Sequence, residues 1–303
     1  MDLAAADLAR TLSTRWGGRW RVRAAGGSGL CNTWHAVGAG PPCFVKTAPL
    51  ERASVLEAEA DGLDALAATH TIRVPRLFGC WHDLRQGVAV LALEWLDLHA
   101  PDAGFGARFG HALAALHAQP PPEGGGRYGW RRDNMIGGTP QSNAWSRHGG
   151  LEGWIEFWGT QRLGAMRARL AARGSDPALL DAVGRVIEQL PSCFDDGHEP
   201  CASLIHGDLW SGNWGMLADG TPVVYDPAVS CSDAEAELAM MDLFGSPPAQ
   251  FWPAYRQGTP LRPGYAQRRG LYQLYHLLNH ALLFGASYAA ASLRLARQLA
   301  GAR

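Results

Sequence analysis

Three polar residues in the second half of the chain have the types and spacing that phosphoryl transfer to a hydroxyl requires. Asp208 and Asn213 lie five residues apart in the segment His206-Gly-Asp-Leu-Trp-Ser-Gly-Asn213, and Asp226 follows an apolar run. In this chemistry one Asp orients and deprotonates the attacking oxygen, while an Asn and a second Asp hold the metal ions that bridge the phosphates of ATP. The pattern predicts Asp208 as the catalytic base and Asn213 and Asp226 as Mg²⁺ ligands.

Lys46 is the only lysine among 27 Lys and Arg residues. Arginine has therefore taken the place of lysine almost wherever a surface positive charge suffices. Arginine cannot replace lysine where a compact ammonium must reach phosphate oxygens and a carboxylate together. Because Lys46 lies in the strand-like run Cys43-Phe44-Val45-Lys46, we expect it to hold the α- and β-phosphates of ATP.

The run that follows Lys46 predicts a helix, and it should supply an acidic partner for the lysine. Its apolar stripe consists of Leu56, Leu63 and Leu66. Glu59 precedes two of these leucines by four and seven positions, so it projects near the buried side, whereas Glu57 lies on a different face. We predict Glu59 as the partner, with Glu57 as the alternative; a solvated helix charge is the usual fate of either residue.

A glycine-rich segment, Gly26–Asn32, lies between two strand-like runs upstream of Lys46. The backbone N–H groups of Gly27 and Gly29 are expected to face phosphate groups, although the segment lacks the pattern G-x-G-x-x-G. Cys31 lies in the same segment, where these N–H groups and the lysine favour a thiolate that oxidants can attack. The alternative for Cys31 is a small apolar side chain turned inward.

The order of the elements predicts two lobes and an α+β fold. Residues 1–96 alternate short strands with one helix, and residues 97–303 are mostly helical by their apolar spacing. The expected architecture is a small β-rich N-lobe and a larger helical C-lobe. The N-lobe ends in an apolar strand followed by a hinge, Glu94-Trp95-Leu96, whose backbone groups would meet the adenine of ATP.

The bulk composition excludes several classes of protein. The net charge of −1 over 303 residues gives no sign of a nucleic-acid or membrane-surface partner. Six cysteines without a C-x-x-C pair suggest neither a zinc site nor a disulfide framework. The longest apolar stretch, residues 281–293, is too short to span a membrane, and the N-terminus lacks a signal-peptide pattern. We expect a cytoplasmic monomer.

Beyond the general kinase pattern, the chain resembles the fructosamine/ketosamine 3-kinases, relatives of aminoglycoside phosphotransferases and choline kinases. The matching segments span residues 26–285 and include 134–145, 154–163, 206–213, 226–228, 235–245 and 271–285. Aminoglycoside kinases share His-Gly-Asp and the trailing Asn, but not the Leu-Trp-Ser-Gly or Asp-Pro-Ala motifs found here. The glycine-rich loop and the residues Ser230-Cys231-Ser232 depart from the family's pattern.

The resemblance implies a bilobal protein-kinase-like fold, the cofactors ATP and Mg²⁺, and phosphorylation of the 3-hydroxyl of a ketosamine, free or protein-bound, as a step in deglycation. A ketosamine nitrogen is a cation near neutral pH, so Asp233 and Glu235 are candidate partners for it. The alternative is that both are acids favoured at a helix N-terminus. Trp210 is a candidate for stacking on the sugar ring.

Two other functions stay open at this point. One is a kinase for another amino sugar, an aminoglycoside or an amino alcohol. The other is a pseudokinase that binds a nucleotide or a partner without turnover. Pseudokinases usually lose the strand lysine, the catalytic Asp or the metal-binding Asp, and this chain keeps Lys46, Asp208 and Asp226.

Overall fold

The structure is a computed structural model that describes residues 4–28 and 30–301. Its first part is built on an antiparallel sheet with the strands β1 (Arg21–Ser28), β2 (Cys31–Val37), β3 (Cys43–Pro49), β4 (Leu77–Asp83) and β5 (Val88–Glu94). These strands lie in the spatial order β1-β2-β3-β5-β4, so β3 and β5 are central. Two helices pack against this sheet: α1 (Ala5–Trp16) and α2 (Ala53–Ala68).

Strand β5 is apolar from Val88 to Leu93 because both of its faces are covered. Successive side chains of a strand point to opposite faces of the sheet. One face contributes Ala89, Leu91 and Leu93 to a core shared with α2 and the rest of the chain. The other contributes Val88, Val90 and Ala92 to a smaller core with α1. The leucine stripe predicted for the helix after Lys46 is buried in α2.

The remainder of the chain is mostly helical. Its helices are α3 (Phe105–His117), α4 (Gly150–Phe157), α5 (Ala165–Ala172), α6 (Pro177–Glu188), α7 (Ala234–Leu243), α8 (Phe251–Gly258), α9 (Tyr265–Phe284) and α10 (Ala286–Gly301). A π-helical segment, Trp158–Gly164, joins α4 to α5. The short strands are β6 (Leu98–His99), β7 (Asn134–Ile136), β8 (Thr139–Gln141), β9 (Ala202–Ile205), β10 (Trp214–Leu217), β11 (Pro222–Val224) and β12 (Ser230–Asp233).

Four of these strands bring the motif residues together. β9 leads directly into the loop 206–213, and β10 and β11 then form a hairpin in which Trp214 pairs with Val224. The chain returns as β12, which pairs antiparallel with β9. The loop and the segment after β11 therefore lie side by side, although they are a dozen residues apart in the sequence.

The fold class expected from the sequence, a β-rich first part and a helical second part, is confirmed. The division between residues 96 and 97 stays a prediction; the strand just after it, β6, pairs with β10 of the helical part. None of the helices in the described ranges is long and apolar enough to cross a membrane.

Candidate active site

Lys46 lies on β3 with its ammonium buried among carboxylates. Its Nζ is 2.8 and 2.9 Å from the two carboxylate oxygens of Glu59 on α2, and 2.8 Å from Oδ1 of Asp226. Glu57, the alternative partner, instead contacts His82 at 3.0 Å on the protein surface. The predicted ion pair between the strand lysine and Glu59 is therefore confirmed.

The charges in this cluster do not balance, because two carboxylates share one ammonium. Burial alone would lower the pKa of Lys46, but Glu59 and Asp226 raise it above its ordinary value. Burial raises the pKa of Glu59 to about 7, against the attraction of the ammonium. The side chain of Asp226 is 48% exposed. The surplus negative charge thus lies on the solvent side, where a cation can reach it.

Asp226 has a backbone conformation that few side chains adopt. Its φ is 59°, in the left-handed region, which costs energy for a residue other than glycine. Its neighbours hold it there: the N–H of Tyr225 donates to Asn213 O at 3.1 Å, and the N–H of Ala228 donates to His206 O at 2.8 Å. The backbone around Asp226 is therefore clamped to both ends of the loop 206–213.

The loop that carries Asp208 is a tight turn closed by its own side chains. Asn213 Nδ2 donates to the carbonyl of Asp208 at 2.8 Å and lies 3.4 Å from its Oδ2. His206 Nε2 is 2.9 Å from the carbonyl of Tyr225, and the N–H of Asp208 donates to His206 Nδ1 at 3.3 Å. These two contacts require the histidine to carry its proton on Nε2. Gly207 has φ 84°, and a Cβ there would lie 2.1 Å from Ala228 O, so a glycine is required.

Glu237 on α7 fixes the start of this loop through hydrogen bonds to its backbone N–H groups. Its carboxylate accepts the N–H of His206 at 3.2 Å and the N–H of Gly207 at 2.6 Å, and it lies 2.9 Å from His117 Nε2. Burial opposes its charge, but the hydrogen bond with His117 and the loop N–H groups hold the pKa of Glu237 below its ordinary value. Sequence analysis did not find this role, because nothing in the spacing of an acid on a helix shows that it points under a distant loop.

Asp208 itself is suited to accept a proton near neutral pH. Burial and the neighbouring charge of Asp226 raise its pKa to about 7, while the hydrogen bond from Asn213 opposes the shift. A general base is most efficient when its pKa lies close to the working pH.

A cavity of about 480 Å³ opens beside Asp226 and the end of β5. Its lining residues are Phe44, Pro75, Leu93, Glu94, Trp95, Leu96, Asp97, Leu98, Tyr225 and Asp226. The three predicted hinge residues are therefore on its wall. The N–H groups of Glu94 and Trp95 are already used, since they donate to Arg76 O at 2.9 Å and Pro42 O at 3.2 Å. An adenine ring in this cavity would therefore have to form its hydrogen bonds with the hinge carbonyls and with the N–H of Leu96.

The described residues of the glycine-rich segment end β1 at Ser28 and begin β2 at Cys31. Gly27 pairs with Asn32 across the two strands, and Gly26 has φ 134° next to an irregularity in the register. Gly29, the second glycine expected to face phosphate, lies outside the described residues. Cys31 is partly buried at the start of β2, and its sensitivity to oxidants stays a prediction.

Trp210 is one of the few large hydrophobic residues exposed in the described chain, at 40% of its surface. Its ring lies against Gly212 of the same loop, where a Cβ would meet ring atoms at 2.3 Å. The glycine at this position is thus needed for the ring to fold over the loop. Trp210 therefore presents a partly exposed apolar surface on the loop that carries Asp208.

Close to Ser211 of the same loop lies a group of side chains that we name the aromatic patch: Phe244, His280, Phe284 and Tyr288. His280 is in contact with Phe244 and Tyr288, at ring separations of 4.3 and 5.0 Å, and Phe284 is 65% exposed. Ser211 Oγ donates to the carbonyl of Phe244 at 2.8 Å, which ties the patch to the loop of Asp208. Sequence analysis missed the patch, since its members come from three separate elements.

The prediction that Asp233 and Glu235 meet a substrate cation is wrong. Both are 4% exposed. Asp233 caps α7 by accepting the N–H of Glu235 at 3.1 Å, and its other oxygen contacts His198 at 2.8 Å and Tyr272 at 2.9 Å. Glu235 is held bidentately by Arg268 at 2.7 and 2.9 Å. Both carboxylates are therefore occupied inside the protein, as the alternative of helix N-terminal acids implied.

The fold, the buried lysine with its helix carboxylate and the loop aspartate beside it are those of protein-kinase-like phosphotransferases. A comparison of structures agrees on the fold. The choline kinase of Streptococcus pneumoniae superposes with a TM-score of 0.62 over 98% of both chains at 13% identity. At that identity the likeness extends to the fold alone.

Sequence relatives narrow the class. The model of the family described as "Fructosamine kinase" matches residues 7–301. A Synechocystis protein named "Probable ketoamine kinase" is 42% identical over 248 residues, covering 81% of this chain and 78% of that protein. The "Protein-ribulosamine 3-kinase, chloroplastic" of Oryza sativa subsp. indica is 37% identical over 253 residues, with 83% and 70% covered. The chain belongs to the fructosamine kinase family.

A solved structure from the same family supports this assignment. The "putative fructosamine-3-kinase" of Thermobifida fusca is 33% identical and superposes with a TM-score of 0.84, covering 99% of this chain and 100% of that chain.

Proposed function

We propose that this protein is an ATP-dependent kinase that phosphorylates the 3-hydroxyl of ketosamines, the fructosamine- and ribulosamine-type adducts formed by glycation. The observation that carries the proposal is the contact of 2.8 Å between Lys46 and Asp226 on the wall of a nucleotide-sized cavity. The relatives named ketoamine kinase and ribulosamine 3-kinase support the choice of substrate.

On the nucleotide side, Lys46 is the residue that holds the α- and β-phosphates, and Glu59 keeps its ammonium in place. The cavity takes the adenine against Leu96 and the other hinge residues. Because both oxygens of Glu59 lie within 2.9 Å of Nζ, this pair keeps the ammonium beside Asp226. Both phosphate binding and orientation of the γ-phosphate depend on this pair.

The residues around Asp226 fit a bound Mg²⁺. Carboxylate and amide oxygens are ligands that Mg²⁺ prefers, and the cluster carries one ammonium against two carboxylates. Asn213 uses its Nδ2 to donate to Asp208, so its amide oxygen is the atom turned to a metal. Asn213 and Asp226 would hold the ion. When bound, Mg²⁺ neutralises the charge of the phosphates and of the transferring group.

On the acceptor side, Asp208 accepts the proton of the attacking hydroxyl. The loop anchored by Glu237 holds this carboxylate in a fixed orientation, so that the hydroxyl is aligned and deprotonated in one step. Most of the rate enhancement in phosphoryl transfer comes from such positioning and from charge stabilisation.

The substrate's sugar and amine lie against Trp210 and the aromatic patch. Aromatic faces attract cations and stack on sugar rings, which suits a protonated ketosamine. His280 Nδ1 is 2.9 Å from His276 O, so the proton is on Nδ1 and Nε2 is an acceptor. Burial lowers the pKa of His280, which keeps the ring neutral and able to accept a hydrogen bond from the substrate.

The test is ATP consumption with a panel of acceptors: a fructosamine, a ribulosamine, an aminoglycoside and choline. We expect kcat/KM to be highest for a ketosamine. A preference for the aminoglycoside or choline would contradict the substrate assignment while leaving the kinase assignment intact. No Mg²⁺- and ATP-dependent turnover of any acceptor, with ATP still bound, would instead point to a pseudokinase.

A further inference from the structure

Helix α2 carries Glu59, and its residue Asp61 is hydrogen-bonded to residues of the helical part of the chain. Asp61 Oδ2 accepts the indole N–H of Trp130 at 2.7 Å, and Asp61 Oδ1 accepts from Nε of Arg131 at 2.9 Å. The indole is buried, at 2% exposure, and the Asp61 side chain is only 12% exposed. Arg131 also stacks over the ring of Trp130 and contacts Glu123 at 3.3 Å. This carboxylate is thus bound by two residues from a distant part of the chain.

The segment that binds Asp61 is itself fixed to the strand that follows Asp226. We name residues 129–134 the connector. At its start, Gly129 and Cys231 exchange two backbone hydrogen bonds of 3.0 and 2.8 Å. At its end, Asn134 Nδ2 donates to the carbonyl of Val229 at 2.9 Å. The connector therefore joins α2 to the chain that positions Asp226, three to five residues away.

A close approach of α2 to the same chain adds a second constraint. A Cβ on Gly62 would lie 3.2 Å from Pro227 Cγ and from Val229 Cγ1. The helix backbone therefore packs directly on the residues after Asp226, and only a glycine allows this distance without displacement. Gly62 sets how near the helix lies, and Asp61 sets its rotation.

The rotation matters because Glu59 and Asp61 lie on different faces of α2. Successive helical residues are about 100° apart, so the two side chains project about 200° from each other. Glu59 points to Lys46 on one side, and Asp61 points to the connector on the other. If the hydrogen bonds to Asp61 were lost, α2 would be free to turn about its axis, which would move Glu59 away from Lys46.

We propose that Asp61, held by Trp130 and Arg131, is a positioning residue that fixes the rotation of α2 and so keeps Glu59 on Lys46. The catalytic readouts rest on the proposed kinase function. We name the contacts of Asp61 with Trp130 and Arg131 the clamp. Its effect on Lys46 in the free protein can be tested without any substrate.

The first test pairs each variant with a control. Asp61→Ala is compared with Asp64→Ala, since Asp64 is an exposed acid on the same helix. Arg131→Ala is compared with Arg132→Ala, since Arg132 contacts Glu57 at 3.8 Å instead of Asp61. We expect kcat/KM for ATP to fall on the order of 10-fold or more in Asp61→Ala and Arg131→Ala, since a displacement of about 1 Å can cost 10²-fold. The two controls should retain wild-type values. Equal values in all four variants would overturn the proposal.

The second test asks whether Asp61 acts through Glu59. In a Glu59→Gln background, Asp61→Ala should add little further loss of kcat/KM, because residues that act through one contact are not additive. A full additional loss in that background would show that Asp61 supports activity by another route and would overturn the proposal. Thermal unfolding identifies folded variants, and Trp130→Phe, which removes one donor while keeping the ring's bulk, replaces any variant that fails to fold.

The third test needs neither ATP nor a ketosamine. Lys46 is the only lysine, and its side chain is 7% exposed, so the rate at which an amine-reactive reagent modifies it reports how well it is enclosed. We expect Asp61→Ala to label at Lys46 several-fold faster than wild type and Asp64→Ala, as measured by peptide mass. Faster labelling in a protein that turns over no ketosamine would support the clamp and refute the proposed substrate. Unchanged labelling would refute the clamp.

Discussion

Two polar clusters of this protein have nearly the same composition and different roles. We name the first the cleft cluster: Lys46, Glu59 and Asp226. We name the second the core cluster: Asp233, Glu235 and Arg268. Each contains one basic side chain and two acidic ones. In the core cluster the Arg268 side chain is 1% exposed and the Glu235 side chain 5%, whereas in the cleft cluster Asp226 is 48% exposed.

The two clusters differ in whether their carboxylate oxygens are already bound by donors within the protein. Both oxygens of Glu235 are bound by Arg268, and those of Asp233 are bound by a backbone N–H, His198 and Tyr272. In the cleft cluster, Asp226 has a single contact to Lys46 and faces the cavity. A carboxylate that is open to a ligand can form a binding site, whereas a carboxylate whose oxygens are all hydrogen-bonded within the protein holds the fold together. Variants of the two clusters should therefore separate activity from stability.

The largest effect is expected from Arg268→Met in the core cluster. Removing the guanidinium leaves the Glu235 carboxylate buried without its partner, which costs about 3–5 kcal/mol in unfolding free energy. Activity per folded molecule should be unchanged. Urea unfolding measures the loss, and the double variant Arg268→Met/Glu235→Met should recover much of it. If the single variant kept wild-type stability, the core cluster would not be the scaffold element described above.

In the cleft, Asp208→Asn should lower kcat on the order of 10²-fold or more, the scale of a positioned base, while ATP binding is retained. Asp226→Ala should instead weaken binding of Mg·ATP. Steady-state kinetics and a nucleotide binding assay distinguish the two. Near-normal turnover of Asp208→Asn would mean that the base is another group.

Lys46→Arg preserves the charge of the cleft cluster but not its shape. The guanidinium is broad and planar, so it cannot meet both Glu59 and the phosphates as the ammonium does. We expect kcat/KM to fall by at least about 10-fold through misplacement of the phosphates, with unfolding free energy close to wild type. Full activity in this variant would reduce Lys46 to an ordinary positive charge.

A pH-dependent effect on stability is expected from His276 on α9, which is buried at 4% exposure. Burial, with His280 and Arg162 nearby, lowers its pKa to about 3. Below about pH 6.5 the unfolded chain binds a proton at this position and the folded protein does not, so stability falls as pH falls towards about 3, by up to about 1.4 kcal/mol per unit. Relative to His276→Leu, wild type should lose stability between pH 6.5 and 4. Parallel curves for the two proteins would contradict this.

The cleft cluster was predictable from the sequence, and the core cluster was not. The spacing of Asp208, Asn213 and Asp226 and the phase of Glu59 relative to its leucines are local features, and local spacing determines which face a side chain occupies. Asp233 and Glu235 were misassigned because the residues that bind them, His198 and Arg268 respectively, lie more than 30 residues away in the sequence. No local pattern indicates such a partner.

The same reason explains what sequence analysis missed. The aromatic patch joins the end of α7 to α9 and α10, and the connector binds α2 from some 70 residues away. Both depend on tertiary packing that only the folded chain reveals. Sequence patterns thus predicted the residues that we propose for the chemistry, and the structure showed those that hold and surround them.

The central claim is that the cleft transfers a phosphoryl group from ATP to the 3-hydroxyl of a ketosamine through Asp208. The most direct measurement is to incubate wild type and Asp208→Asn with a fructosamine and Mg·ATP and to locate the phosphate in the product by two-dimensional ¹H–³¹P NMR. Wild type should give a phosphoester coupled to the proton on C3, and Asp208→Asn almost none in the same time. A phosphate on another carbon, no phosphoester with wild type, or equal product from both proteins would contradict the claim.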